Sequence, residues 1–305
     1  MRGIFPSDEF ILDRLRLPSG KIDMVLDTDA YNEIDDQFAL VLALRSADKL
    51  NVEAVYAAPF HNQRSNGPAD GMEKSYEEIL RVMDQMKIDY KGSVFKGSRN
   101  YMKDIKRPCE SEAAYDLIKR AKEATKPLYV VAIGAITNIA SAISIEPCII
   151  EKIVVVWLGG NAVYWPHNEE FNLMQDVLAA QLIFNCGVPL VHIPCSGVAS
   201  HLTTSLAELE KHIDGKNAIG SYLTKIFRDY RQDHFAYAKE IWDIAALAYL
   251  IDRDFVHSSI ISSPLINDQM NWSFDSRRHF IRSAYYINRN EVFKDLFNKI
   301  LFDKG

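Results

Sequence analysis

One stretch of the chain, residues 21–46, constrains the fold most, because it joins an apolar run to an amphipathic run through an acidic loop. Residues 22–26 have the apolar character and length of a buried strand, and residues 38–44 carry apolar side chains at helical spacing. Between the two runs lie five acidic side chains: Asp27, Asp29, Glu33, Asp35 and Asp36. In open α/β sheets, ligands bind in the crevice beyond the carboxyl ends of the strands, where this loop would lie.

The crowding of carboxylates in this loop predicts a metal site. Carboxylates at one strand end repel one another unless a cation neutralises them, and hard cations such as Ca²⁺ and Mg²⁺ prefer oxygen ligands. The alternative is a solvated acidic turn, with Asp35 and Asp36 in the first helical turn, where the helix dipole favours them. An acidic turn directly after an apolar strand is less common, so we favour the metal site.

The rest of the chain alternates between predicted strands and helices. After the acidic loop we predict strands at residues 52–58, 94–96, 128–133, 153–158 and 190–193, and helices at 72–86, 111–124, 137–145 and 177–184. Beyond residue 196 the alternation fades into helices at 206–212, 218–230, 236–250 and 291–301, with one strand at 280–287. The pattern predicts a Rossmann-like α/β fold, with an open, mostly parallel sheet and helices on both faces, in a single domain spanning residues 1–305.

Composition excludes several partners. The net charge of −6, with no basic run, argues against nucleic acid or an anionic membrane as a partner. No apolar segment approaches membrane-spanning length, and residues 1–20 lack the apolar core of a signal peptide. The four cysteines form no CxxC pair and are too few for a disulfide framework, so we expect reduced thiols in a cytoplasmic protein.

Four further segments carry polar side chains at predicted strand ends or on an apolar helix. They are a polar loop headed by His61 and Asn62, the Gly134 turn after Ile133, the loop from Leu158 to Glu170 and Asn172, and Trp242 with Asp243. Each has a plain structural alternative: a surface loop, a simple glycine turn, a helix-capping pair, and a core tryptophan. Asp243 is the exception, because an acidic residue in an apolar helix is costly to bury unless it is paired or bound to a metal.

In their order and spacing, these segments resemble the nucleoside hydrolase family. The resemblance begins with Asp27-Thr28-Asp29, a short spacer and Asp35-Asp36, and the spacer is two residues longer than usual in the family. It continues through Asn62, Ile133, Leu158-Gly159-Gly160, Glu170-Phe171-Asn172 and Asp243.

The resemblance implies one Ca²⁺ held by the carboxylates of Asp29, Asp36 and Asp243 and by the Ile133 carbonyl. It also implies that Asp29 is the general base. Contacts to the ribonucleoside substrate would come from Asp35, Asn62, Leu158, Glu170 and Asn172. Either Asn161 or Asn168 would reach the 5′-hydroxyl, and homodimers or homotetramers are usual in the family.

The residue before Asp243 departs from the commoner pattern of the family. Many members have a histidine there, thought to protonate the departing base, whereas this chain has Trp242. A tryptophan at this position resembles the purine-preferring branch, in which the base stacks on an aromatic ring. We therefore expect a purine preference carried by Trp242, with help from Trp165, and keep His234 and Tyr237 as reserve contacts for the leaving group.

Two other functions remain open from the sequence. A phosphatase of the haloacid dehalogenase type also begins with Asp-x-Asp after its first strand, but no second acidic pair follows a strand here. A non-catalytic nucleoside- or sugar-binding protein on the same fold is the other alternative. Turnover of nucleosides or release of phosphate would separate these possibilities.

Overall fold

The computed structural model describes residues 6–301, and its centre is an eight-stranded sheet. The strands are β1 Ile22–Thr28, β2 Leu50–Ala57, β3 Val94–Lys96, β4 Leu128–Ala132, β5 Ile153–Leu158, β6 Leu190–Ile193, β7 Thr203–Thr204, β8 Lys239–Glu240, β9 Val256–Ser262, β10 Leu265–Ile266, β11 Trp272–Ser273 and β12 Phe280–Ile287. In the large sheet the order is β3-β2-β1-β4-β5-β6-β12-β9. Adjacent strands of this sheet are parallel, except that β9 runs antiparallel to β12. The pairs β7–β8 and β10–β11 form separate two-stranded antiparallel ribbons.

Helices cover both faces of the sheet because each of its faces is apolar. They are α1 Asp8–Arg14, α2 Asp35–Arg45, α3 Pro68–Gln85, α4 Glu112–Glu123, α5 Thr137–Ile145, α6 Phe171–Gln175, α7 Val177–Asn185, α8 Leu206–His212, α9 Ala218–Tyr230, α10 Ile244–Ile251 and α11 Arg289–Leu301. Alternate residues of β5 point to opposite sides: Val154 and Val156 join the core with α2 and α10, and Val155 and Trp157 join the core with α5 and α7. This two-sided burial explains why the strand reads as a continuous apolar run.

The first six strands place the crevice. From β1 the chain moves outward to β2 and β3, and then returns to the other side of β1 to form β4, β5 and β6. The carboxyl ends of β1 and β4 therefore flank the point where the strand order reverses, which is where open α/β sheets bind ligands. No helix within residues 6–301 is long and apolar enough to cross a membrane.

The predicted α/β fold is confirmed, and one helix assignment is wrong. The helix predicted at residues 236–250 begins only at Ile244, so Trp242 and Asp243 precede α10 instead of lying within it. The reason is that Lys239 and Glu240 pair with β7 as a short antiparallel ribbon, which holds this segment extended. Helix α1 and the edge strand β9 were not predicted; β9 is only partly buried and carries serines among its apolar residues.

Candidate active site

Four aspartates from three segments meet at the carboxyl ends of β1 and β4. Asp29 follows β1, Asp35 and Asp36 open α2, and Asp243 immediately precedes α10. All four are buried, and single carboxylate oxygens of Asp35, Asp36 and Asp243 lie within 4.8 Å of one another. Asp29 adjoins this group, because its charge interacts first with Asp36 and then with Asp35. Residues more than 200 positions apart in the sequence thus lie in one cluster. We call these four aspartates the acidic floor.

Burial and mutual repulsion make these carboxyls weak acids. Burial is the largest cause, and it raises the pKa of Asp36 to about 8 and that of Asp35 to about 6. The pKa values of Asp29 and Asp243 are raised well above the usual range by burial and then by the neighbouring carboxylates. A protein without a compensating cation would hold several of these groups protonated at neutral pH.

The donor set fits a hard cation. Both carboxylate oxygens of Asp29 and Oδ2 of Asp36 are buried without a hydrogen-bond partner among residues 6–301. The other oxygen of Asp36 accepts a hydrogen bond from Thr28 Oγ1 at 2.5 Å. Carboxylate oxygens with unused lone pairs are the ligands that Ca²⁺ and Mg²⁺ prefer.

Gly134 allows Asp29 to occupy its position. A Cβ atom added to Gly134 would lie 2.9 Å from both Cγ and Oδ1 of Asp29, so the carboxylate would have to move. The turn is fixed from the other side by Trp157, whose indole Nε1 donates to the Gly134 carbonyl at 3.1 Å. The carbonyl of Ile133, the predicted main-chain ligand, accepts a hydrogen bond from Asn172 Nδ2 at 3.1 Å and borders the cavity above the aspartates.

Glu170 and Asn172 form the opposite wall and are held by the protein itself. Glu170 caps α6, because its carboxylate accepts from the backbone N–H groups of Asn172 and Leu173 at 3.0 Å each and of Gly160 at 2.7 Å. The capping interpretation is thus realised for Glu170, which nevertheless borders the cavity. Asn172 donates from Nδ2 to the carbonyls of Ile133 and Leu158, which leaves its amide oxygen as the acceptor for a ligand.

A cavity of about 790 Å³ lies over the aspartates, within the size range of small-molecule sites. Its lining includes residues that the sequence proposed as substrate contacts or metal ligands, namely Asp35, Asn62, Ile133, Leu158, Glu170, Asn172, Trp242 and Asp243. Asp29 and Asp36 are not among the lining residues and lie beneath it. The cavity is therefore polar on its walls and acidic on its floor.

The structure separates the alternative contacts that the sequence left open. Asn161 lines the cavity, whereas Asn168 lies behind it and accepts a hydrogen bond from the Asn161 backbone N–H at 2.6 Å. Trp165 is not among the lining residues and packs near Gly197, and its contact with the base stays a prediction. His234 stacks on Phe227, outside the cavity.

Several lining residues were not assigned from the sequence. Glu33, His61 and Cys195 border the cavity, and Lys239 lies behind Glu33 with Nζ 2.6 Å from its carboxylate. The signal for His61 was its place next to Asn62 in the loop after β2. Burial lowers the pKa of Lys239, but the charges of Asp35 and Glu33 outweigh burial and raise it overall, so this lysine remains charged beside the acidic floor.

Comparisons with known proteins agree with this geometry. A sequence profile described as inosine-uridine preferring nucleoside hydrolase matches residues 24–280. A probable uridine nucleosidase 2 from Arabidopsis thaliana is 24% identical over 233 residues, covering 69% of this chain and 70% of that protein. A pyrimidine-specific ribonucleoside hydrolase, RihA, from Salmonella typhi is 25% identical over 239 residues, covering 70% and 73% of the two chains.

Solved structures share the fold. A purine-preferring ribonucleoside hydrolase from Gardnerella vaginalis superposes with a TM-score of 0.73 at 18% identity, over 92% of this chain and 98% of that one. A plant nucleoside hydrolase gives a TM-score of 0.72 at 19% identity, over 93% and 99% of the two chains.

The fold and the sequence matches together define the class of this protein as a hydrolase. The chain belongs to the inosine-uridine preferring nucleoside hydrolase family, and it is an N-glycosyl hydrolase of ribonucleosides. Family membership replaces the haloacid dehalogenase and non-catalytic alternatives.

Proposed function

We propose that the chain hydrolyses the N-glycosidic bond of purine ribonucleosides in a Ca²⁺-dependent reaction. The observation that supports this most directly is the acidic floor, where buried carboxylate oxygens without partners lie under a cavity walled by hydroxyl-binding groups. Asp29, Asp36, Asp243 and the Ile133 carbonyl would hold the ion. When bound there, Ca²⁺ would lower the pKa of a water modestly and help to orient the ribosyl 2′- and 3′-hydroxyls.

The residues of the chain then have distinct roles. Asp29 accepts a proton as the water oxygen forms a bond to the anomeric carbon. The bond between that carbon and the base nitrogen breaks, and its electron pair goes to the base. The base takes up a proton from solvent, Asp29 returns its proton to solvent, and the products are ribose and free base. Asp35, with the Asn172 amide oxygen, accepts hydrogen bonds from ribosyl hydroxyls. The surrounding carboxylates stabilise positive charge that develops on the sugar ring.

The sugar would lie between a polar wall and an apolar support. Leu158, at the end of β5, borders the cavity and would pack under the ring. Asn161 and Glu170 stand on the wall proposed to face the 5′-hydroxyl, and Asn62 would close the other side. Asn62 is held by its own bonds, because Nδ2 donates to the carbonyl and side-chain oxygens of Asn32 at 3.1 and 3.0 Å.

Trp242 supports the purine preference. Its side chain borders the cavity beside Asp243, where many family members have histidine. Purines can be protonated on the imidazole ring, and stacking on an indole stabilises the cationic base by roughly 0.5–2 kcal/mol. The relatives named above include uridine, pyrimidine-specific and purine-preferring enzymes, so the base preference of this chain rests on its own tryptophan.

We expect Trp242→Ala to lower kcat/KM for inosine by about tenfold or more, because 1.36 kcal/mol of lost transition-state stabilisation corresponds to that factor. A nitrophenyl riboside, whose leaving group is already activated, should lose much less. Steady-state kinetics on both substrates measures the difference. If both rates fall equally, or if the wild type favours uridine, Trp242 only packs, and Tyr237 becomes the better candidate.

A second prediction concerns the protein in chelator. Because the folded pKa of Asp36 is about 8, against 3.8 as its ordinary value, the folded state binds protons more tightly than the unfolded chain between those values. The free energy of unfolding must therefore fall as pH rises through this interval. We expect Tm in EDTA to be about 5 °C or more lower at pH 8 than at pH 5, since roughly 2–4 °C corresponds to 1 kcal/mol in larger domains.

The matched control is the same scan with Ca²⁺. An ion that binds only the folded state raises Tm by mass action, and it binds best when the carboxylates are ionised. Added Ca²⁺ should therefore raise Tm more at pH 8 than at pH 5. An identical pH profile in EDTA and Ca²⁺ would count against a metal site at these aspartates.

The decisive test of the function is a panel of ribonucleosides assayed for free reducing sugar, with and without chelator. We expect purine ribosides to react fastest and chelator to abolish turnover. Absence of turnover on every member would overturn the proposal.

We further propose a homodimer or homotetramer, following the pattern of the resembling family, and a cytoplasmic location. Four free cysteines among residues 6–301 are consistent with a reducing compartment. Light scattering coupled to size-exclusion chromatography measures the assembly.

A further inference from the structure

A second recess opens from the active-site cavity and has the opposite electrostatic character. It encloses about 400 Å³ and shares Glu33 and Asn62 with the main cavity. Its remaining walls include Arg64, Arg231 and Tyr237, which come from the loop after β2 and the segment after α9. We call this volume the arginine recess.

Both arginines of the recess are held by stacking and not by acids. The guanidinium carbon of Arg64 lies 4.5 Å from the ring centroid of Tyr31, and that of Arg231 lies 4.4 Å from the ring centroid of Tyr237. Arg64 Nη1 also donates to the backbone carbonyl of Glu33 at 2.9 Å. Within residues 6–301 neither guanidinium forms an ion pair with a carboxylate. A guanidinium that lies over an aromatic ring keeps its N–H groups for another acceptor.

The acidic residue in the wall of the recess is already neutralised. The Glu33 carboxylate accepts from Lys239 Nζ at 2.6 Å and from the Tyr230 hydroxyl at 3.3 Å. Its negative charge is therefore offset by a buried lysine. Two arginine charges remain in excess in the recess, directly beside a cavity whose floor is acidic.

The position of the recess identifies which part of a substrate can reach it. The lining residues of the recess do not include Asn161, Glu170 or Asn172. These three residues line the main cavity, where the proposed function assigns them to the sugar hydroxyls. It opens instead beside Glu33 and Asn62, and it includes Tyr237, the reserve contact for the leaving group. We therefore assign a group in the recess to the leaving base and not to the 5′-carbon of the ribose.

We propose that the arginine recess binds a carboxylate on the leaving base, so that the substrates of this enzyme include ribosides of carboxylate-bearing heterocycles. This inference rests on the proposed function, because it assumes that the ribose lies over the acidic floor. The planar fork of a guanidinium matches the two oxygens of a carboxylate, which makes arginine the preferred partner for that group.

The test compares two ribosides that differ by one charge. Nicotinate riboside and nicotinamide riboside share the pyridinium ring and the scissile bond, and differ in carrying a carboxylate or a neutral amide. We expect kcat/KM for the nicotinate compound to be about tenfold higher, the size of effect given by one charge-assisted hydrogen bond. The preference should weaken as ionic strength rises, because the recess is open to solvent.

Arg231→Gln is the main variant, since within residues 6–301 the contact of the Arg231 guanidinium is its position over the Tyr237 ring. Arg64→Gln is the second, and it also removes the bond to the Glu33 carbonyl. Arg228→Gln is the matched control: this guanidinium, three residues from Arg231, bonds Glu210 and Asp214 at 3.0 and 3.1 Å and lies outside the recess. We expect Arg231→Gln to lower the preference for the nicotinate riboside several-fold, and the double variant with Arg64→Gln to lose it. Arg228→Gln should retain the wild-type preference.

Failure of the inference differs from failure of the proposed function. Hydrolysis of both ribosides at equal rates, or a preference retained in the double variant, would contradict carboxylate binding in the recess. The proposed hydrolase function would still stand. If neither riboside nor any purine nucleoside reacts, the proposed function fails. An NMR titration with free nicotinate and nicotinamide then shows whether the recess binds a carboxylate. Nicotinate binding that weakens in Arg231→Gln supports it, and equal binding of the two bases overturns it.

Discussion

Inosine should be hydrolysed at least about a thousandfold faster than 2′-deoxyinosine, because a site built to bond a hydroxyl can reject analogues that lack it by roughly 10⁴–10⁵-fold. Asp35 is 4% exposed, and its carboxylate would lose a donor if the 2′-hydroxyl were absent. A buried acceptor left without a partner carries its full desolvation penalty. Because the two nucleosides share one base, the ratio of their kcat/KM values isolates the sugar.

A variant ties this discrimination to a residue. Asp35→Ala should slow inosine far more than deoxyinosine, so that the ratio between the two substrates contracts. Similar rates for both nucleosides in the wild type would contradict the proposed contacts of Asp35 and Asn172 with the sugar.

Asp29→Asn should lower kcat by about 10²–10⁴-fold, the usual contribution of a positioned general base. Asn has nearly the same shape and cannot take a proton from water at neutral pH. In chelator the variant should be at least as stable as the wild type, because one of several repelling buried carboxyls is gone. Activity and Tm measured together therefore separate a chemical loss from a folding loss.

Asp23→Asn is the matched control for Asp29→Asn. Asp23 lies at the opposite end of β1, where it accepts a hydrogen bond from Asn51 at 2.8 Å. This variant should keep wild-type kcat. Full rescue of Asp29→Asn by excess Ca²⁺ would mean that Asp29 serves only as a ligand, and another residue would have to be the base.

The central sheet was accessible from sequence because its strands are buried on both faces. Val94–Lys96, Ile153–Leu158, Leu190–Ile193 and Phe280–Ile287 have the predicted bounds. The prediction of secondary structure failed where strand pairing overrode the local preference for helix. Residues 236–250 are rich in alanine and leucine and predict a helix, yet the ribbon between Thr203–Thr204 and Lys239–Glu240 keeps the first part extended.

The sequence located residues at strand ends and in motifs that lie together in the structure, while their roles stay predictions. Asn62 and Ile133, which follow β2 and β4, border one cavity because parallel strands bring their carboxyl ends to the same edge. Asp243 joins them from the segment before α10. The contact between Glu33 and Lys239 joins residues 206 positions apart, and nothing local in either segment predicts it. The arginine recess was missed for the same reason, since it depends on the loop after β2 meeting the segment after α9.

The tight contact between Gly134 and Asp29 has a consequence at the level of the gene. Every missense change of a glycine codon introduces a side chain, and any Cβ at this position lies 2.9 Å from the carboxylate carbon of Asp29. The smallest possible lesion, alanine, therefore already displaces the group assigned to proton transfer, while the buried strands on either side keep their apolar contacts. We therefore expect a single nucleotide change at codon 134 to lower turnover while the protein stays folded, which would separate the presence of the protein from its activity in the cell.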